Sequence, residues 1–414
     1  MRLFIILLAI ILYIPGHAQQ DTGANDSSQV LTNSHLRISL LTCGPGKEVY
    51  ETFGHSCIRI TDSTKTGRDR DVIYNYGFLE SSPENTVMHQ FLTGRIQVFL
   101  ATNTYDEFKY EYVTDKKRLI EEQVFLINSE QKAAILSYLN NNLRRENKYY
   151  EYNSVYDNCS TRILGMFMTT FGNHFVAGQV IPKDSRLTFR DLTKRCGPQK
   201  RQHKYWYSIG MKLFFGSRSD KIATNTEAMY LADYLSDGMA GATIDGKKLC
   251  TAKATLFEEG MDWGPATDEP FILLIIIAVM TIAGLMVKKL SILGRVMSFL
   301  VLVASGILGC CILYLGMIDA EPAWKDNFNV LWALPTNIII PFCGPKIRVK
   351  YAIVAMGLVG VSFILHIMRI QEMPLYEIVS LLLTLLFVYG MMYKKATWKI
   401  DSLTSIKSSK GNSK

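Results

Sequence analysis

The sequence predicts an α+β extracytoplasmic domain followed by an all-α membrane domain of about five transmembrane helices. Three observations predict it. The chain opens on a short apolar stretch with the marks of an export signal. Its first two-thirds is polar and mixed, with strand-like and helix-like segments in turn. From Phe271 onward, apolar runs dominate. The 414 residues suffice for a sizeable core and two structural units.

Arg2 supplies the positive end of the signal, residues 3–14 its apolar stretch, and Gly16-His17-Ala18 a small-residue cleavage site. Residues 1–18 are therefore read as a signal peptide that is removed; a retained anchor needs a longer apolar run. Residues 19–34, rich in Gln, Asn, Ser, Thr and Asp, read as a flexible lead-in. The extracytoplasmic domain is placed at 35–260, the helical bundle at 270–393 and a basic cytoplasmic tail at 394–414.

Within the domain, 35–42 reads as the first strand and Cys43-Gly44-Pro45-Gly46 as a turn. Residues 49–61 and 71–78 read as two strands joined by a charged hairpin loop at 62–70. Residues 96–102 and 119–127 are further strands, with a helical stretch at 105–113 between them. Ser129 is placed as the cap of a helix to about Arg145 with Ala133, Ile135, Leu136, Leu139 and Leu143 on its apolar face. The aromatic run 149–152 reads as a short strand that packs, or that borders an acyl groove. A helix then begins at Cys159. Its inward stripe is Ile163, Leu164, Phe167, Met168 and Phe171, and Gly172 ends it. Short helices are expected at 188–195 and 227–235.

Membrane spans are read at about 270–287, 293–315, 328–342, 351–368 and 375–393. The third is short and contains Pro335 and Asn337, so it is either a full crossing or re-entrant. Charge favours the crossing. With five spans, Lys288, Lys289 and Arg295, then Lys346, Arg348 and Lys350, then Lys394, Lys395 and Lys399 all lie inside, with the large domain outside. Trp324 and Trp332 are assigned to an interfacial aromatic belt. Asn329 and Asn337 either line an entry to the site or bond between helices.

The net charge of +8 falls largely in the loops between spans and in the tail, where it orients the bundle. No basic stripe with interleaved aromatics exists, so nucleic acid is not an expected partner. Of eight cysteines, Cys310, Cys311 and Cys343 lie in or beside spans. The other five form an odd set, so at least one stays unpaired; Cys196–Cys250 is a candidate bridge. There is no C-x-x-C pair and no zinc spacing, so no metal or cofactor is expected.

The chemistry centres on Cys159 in Tyr156-Asp157-Asn158-Cys159-Ser160-Thr161-Arg162. With Asp157 or Asn158 as the cap, Cys159 falls in the first helical turn. Free N–H groups and the macrodipole there favour a thiolate and can hold an oxyanion. His55, in Phe53-Gly54-His55-Ser56-Cys57-Ile58-Arg59-Ile60, supplies a base on a strand. A third polar group fixes an imidazole tautomer; Asn75 is the candidate, followed by Tyr76 and Asp62. Cys57 lies two residues along the strand from His55, on its face, as a neighbour in the site wall. A cysteine at a helix start and a histidine on a strand are also ordinary packing residues, and His35, His89, His174 and His203 compete as bases.

Four segments together resemble a known family: Leu41-Thr42-Cys43-Gly44-Pro45-Gly46, the His55 segment, Tyr74-Asn75-Tyr76-Gly77, and Asn158-Cys159-Ser160-Thr161-Arg162. They are similar to the N-terminal periplasmic domain of the Lnb-type lipoprotein N-acyltransferases of Bacteroidota, over roughly residues 35–240. The bundle with Asn329-Val330-Leu331-Trp332-Ala333-Leu334-Pro335 is similar to that family's membrane part. The resemblance implies an α+β papain-like (circularly permuted) fold, in which the histidine strand precedes the cysteine helix. It implies Cys159 as nucleophile and His55 as base, with no clean transfer of the third residue.

The activity it implies is a cysteine-dependent acyl transfer. A fatty acyl group passes from a membrane phospholipid, through a Cys thioester, to the α-amine of a diacylglyceryl-cysteine lipoprotein. The expected partners are a phospholipid donor, a lipoprotein acceptor and the membrane. The expected location is the inner (cytoplasmic) membrane, multi-pass, with the catalytic domain in the periplasm. His366 and Arg369, at the outer end of the fourth span, either bind a phosphate headgroup or pack and snorkel. Arg162 either holds an acidic substrate group or forms a surface ion pair. The competing functions are a membrane-anchored peptidoglycan amidase or peptidase of papain-like type, and a non-catalytic envelope assembly factor.

Overall fold

The computed structural model describes residues 35–79, 89–90, 95–196, 204–264, 267–318 and 322–411. The signal peptide and lead-in expected at 1–34 lie outside the described residues.

The strands are β1 (Leu36–Cys43), β2 (His55–Asp62), β3 (Asp71–Leu79), β4 (Gln97–Thr104), β5 (Ile120–Val124), β6 (Tyr149–Glu151) and β10 (Ala254–Phe257). They make one sheet in the order β10–β5–β1–β2–β3–β4–β6. Every pairing in it is antiparallel. Two-residue strands β7 (Phe175–Val176), β8 (Thr243–Ile244) and β9 (Lys247–Lys248) form a small second sheet. The expected strand 49–61 is shorter than predicted. Residues Val49–Glu51 form a 3-10 turn, and the strand starts only at His55.

Both faces of the large sheet are buried, because successive side chains point to opposite sides. One face carries Ile38, Leu40, Ile58, Ile60, Tyr74, Tyr76 and Leu100. The other carries Leu41, Cys43, Cys57, Ile73 and Ile120, covered by Phe108 and Tyr112. Those two rings come from helix α1 (Tyr105–Lys109) and the wider π turn Tyr110–Asp115 that prolongs it. The first face is covered by α2 (Ser129–Leu143) and α3 (Cys159–Phe171). Asn128, not Ser129, caps α2: its side chain accepts from the Gln131 N–H at 2.8 Å, which makes Ser129 the first helical residue. On α3 the buried stripe is Ile163, Leu164, Met166 and Phe167. Met168, expected inward, is 49% exposed. The stripe follows the i, i+3, i+4 spacing from Ile163, which selects Met166.

Among the described residues four short helices follow: α4 (Phe189–Arg195), α5 (Tyr205–Phe214), α6 (Asn225–Ala228) and α7 (Ala232–Ala240). The single helix expected at 227–235 is thus two. The Cys196–Cys250 bridge is not formed. Both thiols are free, and Cys250 lies in the core under the sheet while Cys196 packs in a separate cluster with Phe189 and Leu192.

Among the described residues the bundle has four helices long and apolar enough to cross a membrane: α8 (Glu269–Met286), α9 (Ser291–Met317), α10 (Pro345–Ile367) and α11 (Leu375–Gly411). The last continues as helix past Lys394, Lys395 and Lys399. The segment expected to be the third span is not one helix. It is a chain of 3-10 turns: Phe328–Leu331, Pro335–Ile338 and Ile340–Phe342. It nevertheless runs the length of the bundle, antiparallel to α9. Trp324 lies at Gly316, Ala333 at Gly309, Ile338 at Gly306 and Phe342 at Phe299. Along α9 these contacts run from Gly316 to Phe299, about 26 Å at the helical rise of 1.5 Å per residue. That is close to the ~30 Å of a hydrocarbon core. Four apolar helices and one irregular segment of comparable reach thus lie side by side in the bundle.

Irregular backbone at that depth must be satisfied by protein. Asn337 is fully buried; its amide donates to Ser305 Oγ at 2.9 Å, and its oxygen accepts from Tyr351 and Tyr389, both at 2.8 Å. Asn329, also fully buried, donates to the Leu213 carbonyl and accepts from the Trp332 indole. Both asparagines thus bond between elements. Trp332 is 0% exposed, so it belongs to the bundle core and not to an aromatic belt. Its indole follows Asn329 inward.

Close approach at Gly309 carries a prediction. A Cβ there would stand 1.8 Å from the Ala333 carbonyl oxygen. Gly309→Ala should lower the thermal midpoint in detergent by an overpacking cost of about 1–3 kcal/mol. Gly390→Ala, where a Cβ meets nothing within 4 Å, should not. Equal midpoints would refute the packing assigned to this crossing.

Candidate active site

Three elements bring the predicted trio together. Asn158 opens α3 with extended backbone, and its side-chain oxygen accepts from the Ser160 N–H at 2.9 Å and the Thr161 N–H at 3.0 Å. Its amide donates to the Ser154 and Tyr230 carbonyls. The cap is therefore Asn158, locked from both sides. Asp157 instead pairs with Arg162, at 2.5 and 2.7 Å. Cys159 is the first helical residue, and its own N–H has no acceptor among the described residues.

His55 is the first residue of β2, paired across from Cys43. Gly54 before it sits at φ +79°, and a Cβ there would stand 2.7 Å from the Cys43 carbonyl oxygen. Only glycine brings the chain into β2 that closely. His55 Nε2 lies 2.5 Å from Asn75 Oδ1. A carbonyl oxygen accepts, so Nε2 carries the proton and Nδ1 is left for the thiol. The imidazole and the Cys159 thiol lie close enough for each to shift the other's ionisation. Tyr112 stacks on the imidazole with ring centroids 6.2 Å apart. Asn75, on β3, is buried.

The electrostatics follow from this contact. Burial alone would raise the Cys159 pKa, but the neighbouring His55, the Ser56 backbone N–H and the Ser160 hydroxyl outweigh it and bring it down to about 7. Burial alone would lower the His55 pKa; the Cys159 sulfur, then Cys43 and Asn75, raise it to about 9. A thiolate–imidazolium pair is thus favoured between those two values. Below about 7 the sulfur is protonated; above about 9 the ring loses the proton that a leaving group needs. Alkylation of Cys159 by iodoacetamide should rise as pH rises through about 7. In His55→Ala it should rise only near or above the ordinary thiol value of about 8.5. Identical profiles for the two proteins would disprove the pairing.

The other predicted residues are placed as follows. Cys57 is buried on the His55 face of the sheet, in one cluster with Cys43 and away from solvent. Tyr76 is buried in the opposite core, and its hydroxyl has no hydrogen-bond partner among the described residues. Arg162 is committed to Asp157 and stacks over the Tyr150 ring at 3.9 Å, so it braces the loop before the thiol. His366 accepts the Met373 N–H at 3.0 Å and so closes the turn between α10 and α11; Arg369, exposed, stands in that turn at φ +56°. Neither has a hydrogen bond or ion pair to His55 or Cys159 among the described residues. Asp62 sits at the far end of β2, bound to Thr64. Reading by residue type overlooked Ser56, whose contribution is its backbone N–H, and Tyr112, which reaches the imidazole from a π turn.

The site is tied to the bundle. Phe53 and Val155, which precede the two key residues, pack in one cluster with Phe189, Tyr230 and Ala323 of the loop after α9. A cavity of about 310 Å³ opens there, lined by Tyr156, Ser219, Lys221 and Pro322 among others. Lys204 donates to the Gly46 and Glu48 carbonyls in the loop leading to β2 and stands at the start of α5, whose Ile209 lies in the bundle core. Lys194 pairs with Glu372, Lys212 with Glu377 and Arg218 with Asp326.

A permuted papain-like α+β domain, with a cysteine at a helix start facing a histidine strand, is thus mounted on a membrane bundle. Residues 26–194 match the Lnb N-terminal periplasmic domain, and residues 265–399 match the Lnb transmembrane domain. The chain belongs to the Lnb family: it is a membrane protein with a periplasmic amino-terminal domain. No curated protein and no solved structure matches it.

Proposed function

We propose that the protein is a cysteine-dependent lipoprotein N-acyltransferase of the inner membrane. The single observation that carries this reading is the Cys159–His55–Asn75 constellation, near which Phe53 and Val155 pack in one cluster with Ala323 of the loop after α9.

In the first step the Cys159 thiolate adds to the carbonyl carbon of a phospholipid's fatty-acyl ester. The carbon–sulfur bond forms and the π pair moves to oxygen. As the intermediate collapses, the ester C–O bond breaks. The alkoxide takes the His55 proton and leaves as a lysophospholipid. In the second step the α-amine of a diacylglyceryl-cysteine lipoprotein adds to the thioester. His55 accepts an amine proton, sulfur departs as thiolate, and an amide remains. Asn75 keeps the imidazole turned so that Nδ1 serves both steps. Water competes with the amine, so a site against the headgroup layer favours transfer over hydrolysis.

The test is mass spectrometry of lipoprotein N-termini from a strain lacking this protein. Diacylated lipoproteins with a free α-amine are expected, restored to N-acylated forms by the intact chain. Normal N-acylation in that strain, with altered muropeptides instead, would favour a peptidoglycan amidase or peptidase.

A further inference from the structure

Tyr150 sits at the centre of β6, opposite Val98 of β4, with its ring in the core that α3 covers. It is 9% exposed, and its hydroxyl has no hydrogen-bond partner among the described residues. A buried hydroxyl without a partner costs stability. Packing alone would be served better by phenylalanine. Its ring neighbours the start of α3. The Arg162 guanidinium lies 3.9 Å over the ring, and Asp157 holds that guanidinium. Cys159 and Arg162 are three residues apart on one helix face, so the ring lies along the first turn of α3. Tyr76 packs edge-on against it, with centroids 6.4 Å apart. Burial first, and the nearby Cys159 sulfur second, push the phenol far above its ordinary pKa, so it remains a proton donor.

We propose that the Tyr150 hydroxyl and the Cys159 backbone N–H together bind the carbonyl oxygen of the acyl group being transferred. This rests on the acyl-transfer reading above. When sulfur bonds to the carbonyl carbon, negative charge gathers on that oxygen, and both donors strengthen their hold. When the leaving alkoxide takes the His55 proton, the carbonyl re-forms and the hold relaxes. The phenol would then have its partner only while an acyl group is present, which accounts for its being alone otherwise.

The experiment uses the full chain in detergent, with a p-nitrophenyl fatty ester as the acyl probe and nitrophenolate release as the readout. Tyr150→Phe removes one oxygen and keeps the ring. It should alkylate with iodoacetamide at the wild-type rate and with the wild-type pH profile, and melt no lower. Its acylation should slow by about 100-fold or more, the usual cost of one oxyanion donor. Acylation at the wild-type rate would overturn the assignment. So would a parallel loss of alkylation, because the phenol would then act through the thiolate. Cys159→Ala should release no burst. If the wild type also releases none, acyl transfer itself fails and the Tyr150 assignment falls with it.

Discussion

Cys159→Ala is expected to yield a folded protein that transfers no acyl group. The sulfur is small and sits at a helix start whose cap, Asn158, makes all of its hydrogen bonds through other atoms. Replacing it removes the nucleophile and leaves the cap, Asn75 and the α3 core in place. Loss of a nucleophile that acts as a unit with its base reaches about 10⁶-fold in comparable enzymes. In a strain lacking the native protein, lipoproteins should therefore keep free α-amines when Cys159→Ala is supplied at wild-type level. His55→Ala should match it, since the thiolate depends on the imidazolium. Full restoration of N-acylation by either variant would mean that the pair only packs.

Arg190→Ala should cause the largest loss of stability. Arg190, on α4, is 2% exposed. It donates to Asp220 twice, at 2.7 and 3.0 Å, and to the carbonyls of Lys212, Phe215 and Gly216. Those carbonyls end α5, the helix whose Ile209 enters the bundle core. Burial already raises the Asp220 pKa despite this pairing. Without the guanidinium, Asp220 is a buried carboxylate with no cation, a change worth about 3–5 kcal/mol. Thermal melting in detergent should show it, with earlier proteolysis between domain and bundle. Arg190→Ala with Asp220→Asn should recover part of the loss. A midpoint equal to wild type would contradict the assigned role.

Much of the architecture was legible because it rests on local period and on charge. Alternation gave the four strands of the meander, and the i, i+3, i+4 stripe placed α3 within a residue of its bounds. Four of the five expected apolar segments are helices, and the fifth, across residues 322–344, follows α9 as an irregular chain. What was not legible rests on tertiary partners. The inward turn of Trp332 was not legible, because its neighbour Asn329 is itself held by the distant Leu213 carbonyl. Arg162 could be read as a substrate ligand or as half of an ion pair; Asp157 and Tyr150 engage it. His366 could be read as a headgroup ligand or as a packed residue; it accepts a hydrogen bond that closes a turn. Within the site, Cys159, His55 and Asn75 were visible as types at plausible elements. Tyr150 was visible as part of an aromatic strand that packs or borders an acyl groove; its unpartnered hydroxyl is a property of three dimensions.

The most direct measurement is the intact mass of the purified full chain after incubation with phospholipid and no amine acceptor. A single added fatty acyl group is expected on the peptide bearing Cys159, removed by neutral hydroxylamine and absent from Cys159→Ala. Wild-type protein that is folded and alkylates at Cys159, yet never gains that mass, would contradict a thioester mechanism.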